Sequence, residues 1–233
     1  MAGKASVVLV PGLLCTKALW ELQMAALGDI AEMTVGVHTR HDSIGGIAKA
    51  VLAAAPQRFA LAGLSMGGFV AFEILRQAPQ RVTRLALLDT NARADLPERS
   101  AERRKLIVMA EREGLQKVVD GLLPGFLRPA AQADKRLTDL VRRMADNTGS
   151  EGFKRQQAAI IGRLDSRPFL PSIRCPTLVL VGRDDVLTPV AMAQEIAAGI
   201  PGARLEIVPD CGHLSTLEQP EAVSRALRGW LTA

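Results

Sequence analysis

The stretch FALAGLSMGGFVAFEIL, residues 59–75, changes character at its midpoint. Phe59 to Leu64 are nearly all apolar, the composition of a strand buried on both faces. From Met66 onward the apolar positions Phe69, Phe72 and Leu75 recur at helical spacing. Ser65 sits at the turn between them, framed by Gly63 and Gly67. A serine there is either ordinary turn chemistry or a nucleophile held in a strained conformation, and the rest of the chain decides which.

Residues 63–67 fit G-x-S-x-G, the nucleophile elbow, in the strand-to-helix context that motif requires. The glycines supply space. The serine must take a positive φ, at a cost of about 1–3 kcal/mol, and the turn brings the chain so close to itself that side chains at 63 and 67 would clash.

Outward from this turn, ASVVLV (5–10) reads as a buried strand ended by Pro11-Gly12, and MTVGV (33–37) as a second. IGGIAKAVLAAA (44–55) suits a helix, and the helix after Ser65 runs to about Gln77. VTRLALLD (82–89) is the fourth strand. Alternation then stops. From Asn91 to Arg167 the chain is charged and helix-rich, and Pro168, Pro171 and Pro176 mark the exit. Alternation resumes with TLVLVG (177–182), a helix near 190–198, ARLEIV (203–208) and a last helix around 220–231. This order implies right-handed crossovers and a mostly parallel α/β sheet, with one helical block inserted after the fourth strand. The expected division is a core of residues 1–90 and 168–233 and a cap of 91–167 that is not an independent domain.

Bulk properties narrow the class. A chain of 233 residues, 48% apolar and 23% charged, suits one soluble globular domain. No apolar run approaches the ~20 residues of a membrane span. The N-terminal stretch MAGKASVVLVPG carries no cleavage pattern, so a cytoplasmic protein is expected. Cys15, Cys175 and Cys211 are odd in number and far apart, which points to free thiols. Cys211-Gly212-His213 lacks a second ligand pair of zinc-type spacing, so no metal is expected. The net charge of +5 lies wholly in residues 93–167, which hold 16 Lys/Arg and 11 Asp/Glu. That interleaved pattern, without aromatic platforms, reads as a solvated helical surface, with no nucleic-acid partner; its positive balance suits an acidic substrate.

A serine hydroxyl needs a base. The chain has three histidines. His213, in the loop PDCGHLSTLEQP between the last strand and the last helix, is the candidate, while His38 and His41 read as structural or surface residues. The base needs an acid to fix its tautomer. Asp184 and Asp185 in LVGRDDVLTP follow the preceding strand, and Asp89 ends the fourth as a rival better read as a loop cap. The developing oxyanion needs donors: the N–H of Met66 at the helix start, and that of Leu13, which Gly12 lets approach closely.

Together, Pro11-Gly12, GLSMGG (63–68), GRDDVLTP (182–189) and CGHLSTLEQP (211–220) resemble the α/β-hydrolase fold superfamily. The likeness is strongest to small bacterial serine carboxylesterases, enol-lactonases and carbon–carbon bond hydrolases. The family's glycine, acid and proline pattern falls on Gly182, Asp185 and Pro189, which selects Asp185 over Asp184, and its glycine-histidine pair on Gly212-His213. The helical block then corresponds to the family's cap. Two departures stand out: Pro11-Gly12 replaces a common His-Gly, and the family's first two strands are missing, which implies about six strands rather than eight.

The resemblance implies a Ser65–His213–Asp185 hydrolase without a cofactor or metal, acting through an acyl-enzyme on a small to medium carboxylic ester. Enol-lactone or carbon–carbon bond cleavage on the same triad is the alternative, and a non-catalytic receptor the rival from another class. The partner is then a small ester or lactone, with an anionic one favoured by the cap's charge. Activity is expected to fall as His213 is protonated, with an apparent pKa around 6–7. Cys15 and Cys211 flank the proposed loops, either lining the site or filling space as small hydrophobes.

Overall fold

Every residue of Phe59–Leu64 is buried, because this strand lies inside a sheet covered on both faces. The computed structural model describes residues 3–233, so residues 1–2 of the N-terminal stretch lie outside the described residues. The strands are β1 (Ala5–Val10), β2 (Ala31–Val35), β3 (Phe59–Leu64), β4 (Val82–Leu88), β5 (Thr177–Gly182) and β6 (Arg204–Val208). They form one six-stranded sheet in the order β2-β1-β3-β4-β5-β6, and each neighbouring pair is parallel.

The helices are α1 (Glu21–Leu27), α2 (Ile44–Ala54), α3 (Met66–Gln77), α4 (Pro97–Glu113), α5 (Leu115–Phe126), α6 (Pro129–Gln132), α7 (Lys135–Ile161), α8 (Val190–Gly199), α9 (Ser215–Glu218) and α10 (Pro220–Thr232). α2 packs on α3, which lies over β1, β3 and β4; α10 packs on α1 and reaches β4 and β6. The fully buried Trp20, Phe59 and Phe72 anchor this core, each contributing about 1.5–3 kcal/mol or somewhat more by burial. The chain leaves β1 in one direction for β2 and returns for β3 on the other side. The sheet therefore switches direction between β1 and β3, the place where such sheets open a crevice at their strand C-termini.

The six-strand α/β-hydrolase architecture and the helical block after β4 agree with the expectation. Two details differ. The second strand runs Ala31–Val35 rather than 33–37, because pairing begins at Ala31 opposite Ala5. It ends when the Gly36 N–H donates to Leu9 O and the chain passes against Val51. Its exposed Glu32 marks an edge strand, for which an apolar run is a poor guide. Helix α1, with the 3₁₀ turn Lys17–Trp20 before it, occupies a stretch to which the sequence reading assigns no element.

Helices α4–α7 follow β4 and return to β5. The block is closed at its base, where the Ser166 N–H donates to Ala92 O at 2.7 Å and Arg163 pairs with the buried Asp95 at 2.6 Å. Its cations Arg93, Arg103, Arg142, Lys154 and Arg167 also pair with carboxylates, as a solvated helical surface would. α7 breaks at Gly149, whose φ is +70°.

Candidate active site

Ser65 has φ +55° and ψ −114°, directly after β3 and before α3. The turn is gripped by its own backbone: the Ser65 N–H donates to Leu88 O at 2.9 Å, and Ser65 O accepts from Thr90 Oγ1 at 2.7 Å. A Cβ on Gly63 would run into the Gly67 backbone, and one on Gly67 into Val10 O. The crowding that makes the two glycines necessary is therefore present on both sides of the half-buried Ser65.

β5 delivers Asp185 and the loop after β6 delivers His213. Gly182 allows this, since a Cβ there would strike the carbonyls of Cys211 and Gly212. His213 Nδ1 lies 2.8 Å from Asp185 Oδ2, and His213 Nε2 lies 2.9 Å from Ser65 Oγ. A carboxylate only accepts, so Nδ1 carries the proton and Nε2 is left to accept from the Ser65 hydroxyl. Asp185 also accepts from the N–H groups of Leu187 and Thr188 and from Thr188 Oγ1. Burial alone would raise the Asp185 pKa, but His213 and these donors outweigh it and hold the carboxyl below its ordinary value. Burial works the other way on His213, where the Asp185 charge and hydrogen bond win and hold the imidazole above its ordinary value. The arrangement can therefore take a proton from Ser65 and stabilise the imidazolium that results.

Asp89 is fully buried and bonds elsewhere: Oδ1 accepts from the Gly182 N–H at 2.9 Å and Oδ2 from Ser215 Oγ. It ties the end of β5 to the segment after His213 and does not meet the imidazole. Burial, and then the charge of Asp185, push its pKa up to about 8. Asp184 is exposed and touches the site only through its N–H, bonded to Cys211 O at 2.8 Å.

The loop after β1 lies against the serine, where a Cβ on Gly12 would be 3.3 Å from Ser65 Cβ. Among the described residues, neither the Leu13 nor the Met66 N–H donates to a protein acceptor. His41 is exposed. His38 is buried, and its Nε2–H donates to Gly12 O at 2.9 Å. Cys15 and Cys211 are buried, and burial pushes the Cys15 thiol up to about 12 and raises Cys211 as well. Both are thus buried small hydrophobes rather than exposed thiols.

The helical block meets this loop cluster twice. Phe126 stacks near His213, with ring centroids 6.3 Å apart, and Phe126 O accepts from the Leu214 N–H at 3.1 Å. The buried carboxylate of Glu218 accepts from the N–H groups of both Gly212 and Arg128, each at 3.2 Å. Elsewhere in the block Phe153 is fully buried in the core, and beyond it Phe169 packs beneath Arg76.

Residues 7–226 match the alpha/beta hydrolase family. The chain belongs to that family. Among solved structures, a thermophilic esterase from Thermogutta terrifontis is similar at a TM-score of 0.90 and 30% identity, covering 98% of this chain and 90% of that one. The enol-lactonase from Burkholderia xenovorans LB400 follows at 0.89 and 26%, covering 100% and 93%. Among curated relatives, the pimeloyl-[acyl-carrier protein] methyl ester esterase of Nitrosomonas europaea is 28% identical over 189 residues, 77% of this chain and 74% of its own. As an alpha/beta hydrolase the chain is a hydrolase enzyme.

Several site contacts in this alpha/beta hydrolase have no role in the sequence reading. Thr188 and Glu218 lie inside the motifs GRDDVLTP and CGHLSTLEQP, where a polar residue close to the acid or the histidine was the available signal. His38 and Gln156 of α7, whose Oε1 accepts from the Leu14 N–H at 3.1 Å, bond across 26 and 142 residues of sequence, and no local pattern marks them.

Proposed function

We propose that the chain hydrolyses a carboxylic ester of a small to medium acyl group through an acyl-enzyme on Ser65. The carrying observation is the continuous hydrogen-bond chain Ser65–His213–Asp185, with both links at 2.8–2.9 Å. His213 Nε2 takes the hydroxyl proton as Ser65 Oγ attacks the carbonyl carbon, and the charge on the carbonyl oxygen is met by the N–H groups of Leu13 and Met66. The tetrahedral adduct collapses, the carbon–oxygen bond to the alcohol breaks, and the imidazolium gives its proton to the leaving oxygen. Water, deprotonated by His213, then attacks the acyl-enzyme. The acid departs and Ser65 recovers its proton.

Residues 91–167 are read as a cap that selects the substrate rather than a separate domain. Closure of its base between Ala92 and Ser166 supports that boundary, as do the contacts of Phe126 with Leu214 and of the Arg128 N–H with Glu218. Its positive balance favours an anionic ester. The free thiols Cys15, Cys175 and Cys211 suit a reducing, cytoplasmic setting; among the described residues no helix is long and apolar enough to cross a membrane.

Enol-lactone opening is the second reading, favoured by the full-length likeness to the Burkholderia enol-lactonase. A receptor without turnover is disfavoured because all three side chains stand in bonding geometry. The test is hydrolysis of a chain-length series of p-nitrophenyl esters, beside an enol-lactone, by wild type and Ser65→Ala. Ester turnover lost in the variant supports the reading. Faster turnover of the lactone moves it to the second, and folded wild type inert on both contradicts it.

A further inference from the structure

Gly12 O and Leu13 N belong to one planar peptide, so a group that grips the oxygen fixes the direction of the N–H on the opposite side. Two groups grip it: the Cys15 N–H, which donates to Gly12 O at 3.2 Å within the turn, and more closely His38. The histidine is buried, its Nε2–H donates to Gly12 O at 2.9 Å, and burial holds the imidazole below its ordinary range as a neutral donor. The next peptide is held as well. The Leu14 N–H donates to Gln156 Oε1 at 3.1 Å, with Leu14 kept at φ +59°, a conformation that a leucine does not adopt unaided.

A third bond closes the ring, since Arg155, the neighbour of Gln156 on α7, donates from Nε to Thr39 O at 2.7 Å, beside His38. Gln156 is fully buried and its Nε2 has no partner among the described residues. A residue present only to pack would be apolar there, so the amide is accounted for by its bond to Leu14.

We propose that His38 and Gln156 are positioning residues that aim the Leu13 N–H at the developing oxyanion, so that the second half of α7 belongs to the ester-cleaving machinery. This rests on the hydrolase reading above. Neither residue bonds to Ser65 or His213. His38 acts through the Gly12–Leu13 peptide and Gln156 through the Leu13–Leu14 peptide that follows it, and accepting a hydrogen bond at Gly12 O also polarises the Leu13 N–H as a donor. Helix α7 thus adds, through Gln156, a hold on the Leu14 N–H beyond those that the Cys15 N–H and His38 place on Gly12 O.

The experiment compares wild type, Ser65→Ala, His38→Leu, His38→Gln and Gln156→Met on p-nitrophenyl acetate, with folding checked by thermal unfolding and inhibition by phenylboronic acid measured in parallel. The boronate forms a tetrahedral adduct on serine and so reads the oxyanion site directly. Losing the aim costs less than removing an oxyanion donor outright, so His38→Leu and Gln156→Met should lose about 10–100-fold in kcat. KM should change little and boronate affinity should fall in parallel. Gln places its amide nitrogen near the former Nε2, so His38→Gln should recover most of the loss.

Turnover dead in Ser65→Ala but within twofold of wild type in folded His38→Leu and Gln156→Met overturns this inference and leaves the nucleophile standing. A rise in KM at unchanged kcat also overturns it. Full turnover in Ser65→Ala instead removes the Ser65 acyl-enzyme reading itself. Should His38→Leu not fold, His38→Gln against His38→Asn carries the comparison. The shorter amide cannot reach Gly12 O, and equal kcat in the two would contradict the proposal.

Discussion

Thr188 Oγ1 lies 2.6 Å from Asp185 Oδ2, the same oxygen that His213 Nδ1 meets at 2.8 Å. The backbone N–H groups of Leu187 and Thr188 occupy the other oxygen, so the carboxylate cannot rotate without breaking several bonds. Thr188→Val keeps the backbone donor and removes the hydroxyl. A hydrogen bond to a charged group contributes about 1.5–3 kcal/mol, and we expect roughly a tenfold loss in kcat/KM, from the conversion of 1.4 kcal/mol per decade. Steady-state kinetics with a far-UV spectrum as the folding check would read this; wild-type kinetics in the variant would show that the backbone donors suffice.

The pH profile follows from the direction of the His213 shift. Its pKa is raised, against the effect of burial, by Asp185. Activity should therefore fall on the acid side with an apparent pKa above the ordinary ~6.5 of imidazole, toward or beyond the top of the window expected from sequence. The same shift acts on stability. The raised His213 contributes stability that is complete below ~6.5 and lost as pH rises through its native value. The lowered Asp185 contributes above ~3.9 and loses it as pH falls through its own. An acid limb below pH 6 would contradict the pairing.

Asp89 works in the opposite sense. Its native pKa is pushed up to about 8 by burial and by Asp185. The native state thus holds a proton between ~4 and 8 that the unfolded chain has lost, and the contribution of this group falls as pH rises across that window. Asp89→Asn should flatten the decline in Tm between pH 5 and pH 8. An unchanged slope would mean that Asp89 is ionised throughout.

Two glycines give opposite outcomes on substitution by alanine. At Gly67 the added Cβ meets the carbonyl of Val10, a rigid strand atom, and overpacking of this kind costs about 1–3 kcal/mol. At Gly121, inside α5, the added Cβ meets nothing within 4 Å, and the better helix former should stabilise by about 0.5–1 kcal/mol. Denaturant unfolding of both variants reads the contrast.

What was legible in the sequence was what local sterics and chain order encode. The elbow at Ser65 declares itself because a positive φ between two crowded glycines needs G-x-S-x-G, and the strand-to-helix switch at that point is visible in the apolar spacing. Asp185 and His213 follow from their places at strand ends, though only the family pattern separates Asp185 from Asp184. Partners distant in sequence were not legible. Nothing near residue 38 or residue 156 says that each will clamp a peptide of the loop 11–15. Edge strand β2 and helix α1 were misjudged or missed because their burial comes from tertiary neighbours: Ala5 pairs with Ala31, and α10 covers α1.

The central claim is that Ser65 is the nucleophile, and covalent labelling tests it most directly. Wild type and Ser65→Ala would be treated with a fluorophosphonate, and the adduct located by mass spectrometry of the digested chain. We expect one adduct per chain on Ser65, slowed as pH falls through the His213 titration, and none in Ser65→Ala. A label on another residue, or no label on folded wild type that still turns over esters, would contradict it.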